Sequence, residues 1–404
     1  MERVDGEDRT HAMDAAETTA LLDRVRGTAQ ELSRTSAEVD RGRIAPHRGY
    51  RLIREAGLLK LLVPRQFGGA GLSFLDYTKV LETLAVGDAA TAIGFHTHNV
   101  AIGSLCETGG SELPVAADRF RSWLFAQVVE SDAMFASATS ETGSGTRLRD
   151  IRVTYRRSGD GYALKGTKSA VSPAGIADHY VVAARAEGSV ISDRVSHFVV
   201  SKDDHGVAFS DPGNAPALRG TWTATMTMSD VPVPRHRLFL GAEGLSLFRL
   251  VREPHWAVSG CLGAHLGIAE SILRSMVRLL RDDELRRSSS AIQADVGRLA
   301  VDLRAARSLV YSAARLVDEE KGTLEADTAV HAAKYCVGEL APRLALAAVR
   351  ICGPDALRRP SPLERLLREA AFCSTLPAGP EECLRYVGRS TLGFHMGDAE
   401  NSDW

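Results

Sequence analysis

What most constrains this chain is a change of rhythm near Met134 and its reversal near Ala242. On either side, apolar residues recur at three- and four-residue spacing, as in Leu21-Leu22-Val25 and Leu52-Ile53-Leu58-Leu59, which is the period of a helix with one buried face. Between them run short β-rich stretches, Val153–Tyr155, Tyr162–Lys165, His179–Ala184 and His197–Val200, divided by Gly, Asp and Ser. Pro46 marks a helix start. The cluster from Val63 to Leu72 breaks the pattern, and Ser73 reads as an N-cap with Asp76 in the first turn. Asp88 and Gly109-Gly110 punctuate the helices that follow, and Pro232 and Pro234 end the β region. Long helices are expected over 242–282, 291–320 and 324–351, with shorter ones after 362 and 380. The expected fold is α+β and multidomain. It comprises a disordered tail (1–13), an N-terminal helical domain (14–132), a central antiparallel β-sandwich or barrel (133–240) and a C-terminal four-helix bundle (241–404).

Bulk properties exclude several functions. A net charge of −2 over 404 residues offers no basic field for nucleic acid or an acidic membrane. No run approaches the ~18 apolar residues of a membrane span. The six cysteines have no CxxC spacing and sit mostly in apolar stretches, so a reduced, cytoplasmic protein without a metal centre is expected. The charged N-terminus is not a signal peptide. The long Ala- and Leu-rich C-terminal helices leave an apolar face for a partner, which predicts a homodimer or homotetramer.

The chemistry-bearing residues crowd into 133–175. Ser140-Glu141-Thr142-Gly143-Ser144-Gly145-Thr146 is a Gly-rich, hydroxyl-bearing loop whose backbone can approach a polyanion or ring oxygens closely. One hairpin later comes a second hydroxyl cluster, Gly166-Thr167-Lys168-Ser169-Ala170-Val171-Ser172. Turn capping is the alternative role for Ser140 and Ser172.

These segments, with Leu62 to Leu72, Leu218-Arg219-Gly220-Thr221 and Val231-Pro232-Val233-Pro234, resemble in order and spacing five stations of the acyl-CoA dehydrogenase superfamily. The resemblance runs from about residue 15 to 394. It implies a flavoenzyme carrying FAD, with FMN as the alternative. It places Ser140 at the flavin pyrimidine edge, the backbone of Ala138 against the isoalloxazine, Ser172 facing flavin N5 and Thr146 toward a thioester arm. Short hydroxyls and backbone donors suit a ring with an apolar body and a polar rim. The implied substrate is an acyl-CoA or an acyl group on a carrier protein, and the implied electron acceptor is a partner flavoprotein or O₂.

The chain also departs from the family. The positions that carry the catalytic glutamate in the family fall on Ala257 and on Pro377 or Ala378. Glu253 lies four residues before Ala257, one helical turn away, and is the candidate base; a first-turn acid near a helix start is its other reading. His255 is a candidate substrate contact or a packed core histidine. Ala170 stands where the family has an aromatic residue, leaving a smaller wall beside the flavin. The family's Arg-x-x-Phe-Gly loop is shortened to Arg286-Arg287-Ser288-Ser289-Ser290, with Arg287 as cofactor contact. Its Gly-Gly-x-Gly is reduced to Gly353-Pro354-Asp355-Ala356. Two functions follow: α,β-dehydrogenation of an acyl thioester, which needs a base, and a monooxygenase using reduced flavin and O₂, which does not.

Overall fold

The computed structural model describes residues 15–107, 113–189, 195–245, 255–256, 261–359, 361–376 and 378–394. The expected tail, Gly109-Gly110, Glu253, Ala257 and Pro377 lie outside them. Helices come first: α1 (Ala15–Asp40), α2 (His47–Glu55), α3 (Phe74–Cys106) and α4 (Val115–Glu130). Pro46 caps α2, and the Ser73 hydroxyl accepts the Asp76 N–H at 3.1 Å to start α3. Asp88 interrupts α3 with extended backbone (φ −154°, ψ 103°), and its carboxylate then caps the continuation by accepting the Thr91 N–H at 3.0 Å.

Seven strands follow: β1 (Phe135–Ala138), β2 (Thr154–Ser158), β3 (Gly161–Val171), β4 (His179–Ala186), β5 (Val195–Ser201), β6 (Val207–Phe209) and β7 (Ala224–Val233). They form one sheet in the order β1-β4-β2-β3-β7-β6, with β5 on the other edge of β4. It is mixed rather than wholly antiparallel. β1 and β2 lie in succession along one edge of β4, both parallel to it, because the chain leaves β1 through a long hydroxyl loop before returning as β2. Both faces of β4 are buried over Tyr180–Ala184, so it reads as a continuous apolar run.

The last part is helical: α5 (Leu262–Arg281), α6 (Glu284–Arg287), α7 (Ser290–Glu320), α8 (Leu324–Cys352), α9 (Pro362–Cys373) and α10 (Pro380–Thr391). α8 is the hub, packing on α5, α7, α9 and α10. Of the expected helix over 242–282, the described residues 242–245 are not helical, 255–256 are, and α5 begins at Leu262. α5 also lies directly on α3. A Cβ on Gly263 would sit 2.3 Å from the Thr78 carbonyl oxygen, and one on Gly267 2.5 Å from the Ala85 Cβ, so only glycine permits that approach. One continuous apolar core joins the N-terminal helices, the sheet and the bundle. No helix among the described residues is long and apolar enough to cross a membrane.

Candidate active site

The two hydroxyl clusters become neighbours at the end of β1. The Ser169 N–H on β3 donates to the Ser140 carbonyl at 2.9 Å, and the loop between is closed by reciprocal 2.9 Å bonds of Glu141 and Gly145. Beneath it lies an ion pair formed by the motifs' own charged residues. Lys168 Nζ is 2.7 Å from Glu141 Oε1, with side chains 0% and 4% exposed. Lys168 also donates to the Thr139 carbonyl at 3.1 Å, and Glu141 accepts the backbone N–H groups of Arg152 (2.7 Å) and Val153 (3.2 Å). Lys168 thus has two acceptors and both Glu141 oxygens are engaged, the kind of satisfaction that makes buried charge tolerable. Burial nevertheless outweighs Glu141 and pulls the Lys168 ammonium down to about 8.

Ser172 ends the shelf. Its hydroxyl meets Thr223 Oγ1 at 2.5 Å, Thr223 meets Thr221 Oγ1 at 2.7 Å, and Thr221 donates to the Leu218 carbonyl at 2.8 Å. Between Lys168 and Val171 the pairing with β7 shifts register, and Ala170 takes the left-handed φ of 53° there, exposed to solvent. Such a backbone costs a non-glycine residue roughly 1–2 kcal/mol, and alanine bears it better than a bulky side chain would.

The second half of α3 packs directly against β1. Thr97 Oγ1 reaches the Ser172 carbonyl at 2.8 Å. His98 Nδ1 accepts the Phe135 N–H at 3.0 Å, so Nε2 carries the proton donated to the Leu59 carbonyl at 2.8 Å. This neutral ring ties the start of β1 to the N-terminal helices, and burial drives its pKa down to about 4. His96 Nδ1 lies 2.5 Å from the Tyr77 hydroxyl, and its ring is held neutral by burial, with its pKa pushed to about 3. Trp256 packs edge-on to Phe74 at 5.1 Å and covers Gly103, where a Cβ would sit 2.3 Å from Cε2.

Ser140 thus meets the strand that carries Ala170 and runs into Ser172, with Thr146 just past the loop closed by Glu141 and Gly145: Ala138 is buried, the two serines half-buried, and Thr146 and Ala170 exposed. Arg287 and Gly353 form a separate group. There it is Arg286, not Arg287, that reaches the glycine: Arg286 Nη1 donates to the Cys352 carbonyl at 2.6 Å and a Cβ on Gly353 would lie 3.1 Å from Nη2, whereas Arg287 pairs with Glu284 at the surface. His255 takes the core role: it is buried against Phe74 and Trp256 with Nε2 3.0 Å from Glu107 Oε1. Ala378 is buried and apolar.

His96, Tyr77, Thr97 and Thr223 escaped the sequence reading. A polar run in an apolar helix, Phe95-His96-Thr97-His98-Asn99, was the available signal. Glu369 was also missed. It is a buried carboxylate on α9, 3.7 Å from Arg365, with one oxygen unpartnered among the described residues and its pKa raised by burial to about 7.

Three sequence profiles match in order: acyl-CoA dehydrogenase N-terminal domain over 15–113, middle domain over 136–231 and C-terminal domain over 259–391. The chain belongs to the acyl-CoA dehydrogenase family. It is an acyl-CoA dehydrogenase-like flavoenzyme, and flavin is its cofactor. Human mitochondrial short-chain specific acyl-CoA dehydrogenase is 27% identical over 376 residues, covering 91% of this chain and 88% of the relative. Among solved structures, KijD3 in complex with dTDP superposes with TM-score 0.83 at 23% identity, covering 95% of this chain and 99% of that one. FMN-bound TdsC from Paenibacillus sp. A11-2 superposes with TM-score 0.80 at 22% identity, covering 92% and 97%. At these identities the two structures speak for the fold.

The shelf fits a flavin. Its rim carries hydroxyls and backbone groups, its charged pair is sunk beneath it, and the buried Ser144 hydroxyl has no partner among the described residues.

Proposed function

We propose that this flavoenzyme removes two hydrogens from the α and β carbons of an acyl thioester carried by CoA or a carrier protein. The observation that carries the reading is the Ser169–Ser140 hydrogen bond, which sets both hydroxyl stations on one shelf over the Glu141–Lys168 pair. A bound flavin, FAD or FMN, supplies the hydride acceptor. Ser140 and the backbone at Ala138 would hold its pyrimidine side, Ser172 its central edge, and Arg287 and Gly353 the diphosphate end across a subunit boundary. Thr146 would face the thioester arm, with Ala170 beside the ring. Glu253 is the base in this reading, because Ala257 and Pro377 or Ala378 leave both usual positions without a carboxylate. A carboxylate beside an acyl chain has its pKa raised toward working pH, where it accepts a carbon-bound proton.

Those same empty positions favour a second reading, a monooxygenase that uses reduced flavin and O₂ and needs no α-carbon base. One experiment separates the two. Under anaerobic mixing with a panel of acyl thioesters, the dehydrogenase loses flavin absorbance, and Glu253→Gln slows this by roughly 10²–10⁴-fold. Unchanged bleaching in the variant clears Glu253. No bleaching by any thioester, with oxygen-dependent product formation from added reduced flavin, selects the monooxygenase.

The rest of the proposal is a cytoplasmic enzyme of three domains, split near 132 and 240, that passes electrons to a partner flavoprotein or to O₂. It assembles as a homodimer or homotetramer. Val301 and Leu309 on α7 and Leu346 on α8 are apolar yet 63%, 37% and 52% exposed, which supports a helical face covered by a second copy. A monomeric mass by light scattering at micromolar concentration refutes the assembly.

A further inference from the structure

We propose that Thr221 and Thr223 fix Ser172 as a hydrogen-bond acceptor only, so that the site prefers flavin in its reduced state. The inference rests on Ser172 facing flavin N5, and it follows from counting protons. A hydroxyl has one hydrogen to donate. The Leu218 carbonyl can only accept, so the 2.8 Å bond from Thr221 uses the Thr221 proton. The 2.7 Å contact between Thr221 and Thr223 must then be filled by the Thr223 proton. That leaves the 2.5 Å contact between Ser172 and Thr223 to the Ser172 proton. Every proton in the chain therefore points away from Ser172 toward Leu218, and the open side of Ser172 Oγ presents lone pairs.

The ring nitrogen N5 is an acceptor in oxidised flavin and an N–H donor in reduced flavin. Opposite a lone pair, the oxidised form faces a second acceptor, and the reduced form makes a hydrogen bond. Turning the Ser172 proton toward the oxidised ring would break the Ser172–Thr223 bond. The chain cannot rearrange in compensation, because its far end is a carbonyl. The Ser172 carbonyl lies outside this chain and shares the single Thr97 hydroxyl proton with the Gly94 carbonyl, at 2.8 and 2.7 Å. Thr221 and Thr223 are positioning residues here, acting through Ser172.

The test measures dissociation constants for oxidised FAD and FMN, and for the same flavins reduced anaerobically, on the full chain. Wild type is expected to bind the reduced form more tightly. Thr223→Val keeps the volume and frees the Ser172 proton, so the reduced-over-oxidised preference should fall by about 3- to 10-fold, the range of one net hydrogen bond. Tenfold corresponds to a drop of about 30 mV in the two-electron potential of the bound flavin. Thr223→Ser should restore the wild-type ratio. If Thr223→Val weakens both forms equally, or leaves the ratio unmoved while Ser172→Ala shifts it, the orientation chain is refuted and the flavin station stands. If Ser172→Ala and Thr223→Val leave both affinities and the potential at wild-type values, or no flavin binds, then Ser172 is not a flavin contact and both readings fall.

Discussion

Two lysines are buried in this protein, and their surroundings have little in common. Lys168, in the sheet under the site, is wrapped by Glu141 at 2.7 Å and the Thr139 carbonyl at 3.1 Å. Lys334, in the middle of α8, has one carbonyl at 3.5 Å, that of Cys373 at the end of α9, and otherwise feels the thiols of Cys261, Cys373 and Cys383 and the neutral rings of His96 and His265. One is half of an ion pair that organises three strands. The other is a long aliphatic stem whose head serves a helix C-terminus, where the backbone carries partial negative charge. Buried charge is therefore not one kind of feature: its worth depends on what its removal leaves behind.

The largest expected effect comes from removing the carboxylate and leaving the ammonium. Glu141→Gln strands Lys168 in the sheet and should cost about 3–5 kcal/mol in urea unfolding, with loss of flavin binding. An unchanged midpoint would erase the distinction between the two lysines. Removing both partners sharpens it. Glu141→Leu with Lys168→Met should recover much of that loss, but stay about 1–3 kcal/mol short, because the N–H groups of Arg152 and Val153 lose their acceptor.

A pH series gives a smaller signal of defined sign. Lys168 titrates near 8 when folded, against 10.5 ordinarily, so between these values the unfolded chain binds more protons. This group's contribution to stability therefore rises with pH across that window, by at most ~1.4 kcal/mol per unit. In Lys168→Met the slope should flatten by that amount; an unaltered slope would place the titration elsewhere. The smallest effect belongs to Lys334→Met, which keeps the stem, loses one long hydrogen bond and strands no carboxylate. It should change stability by less than about 1 kcal/mol, and a loss as large as that of Glu141→Gln would show the bundle to depend on that charge.

Much of the fold was legible because its signals are local. Ser73 and Asp76 lie three residues apart, Pro46 precedes its helix directly, three of the four expected β runs fall within observed strands, and the fourth, Val153–Tyr155, enters β2 at Thr154. Asp88 was legible as punctuation for the same reason. The site was legible only as a set of stations. Ser140 and Ser172 were readable as hydroxyls in a glycine-rich setting, but the partners that orient them come from far along the chain. Thr223 is 51 residues beyond Ser172, and Thr97 is 75 residues before it. Glu141 and Lys168 both stood in the motifs, yet a 27-residue separation hides a contact that only the sheet pairing makes. His96 and Tyr77 lie on one helix but 19 residues apart, a span that crosses the break at Asp88 and follows no helical period. His255 illustrates the converse: its neighbours are core aromatics and an acid at the end of α3, which local sequence cannot announce.

The break at Asp88 bears on how such a protein can change over generations. Its carboxylate starts the following helix by holding Thr91, and Arg365 at 3.5 Å anchors it from α9. The first half of α3 is thus committed to the scaffold through Gly263 and Gly267, while the half bearing Phe95 to Asn99 begins afresh from its own cap. That second half is nevertheless tied back to what precedes it, His96 by the Tyr77 hydroxyl and His98 by the Leu59 carbonyl, so a change at either position is felt on both sides of the break. Of the five positions from Phe95 to Asn99, only half-buried Thr97, which reaches the Ser172 carbonyl, can vary without loosening those anchors.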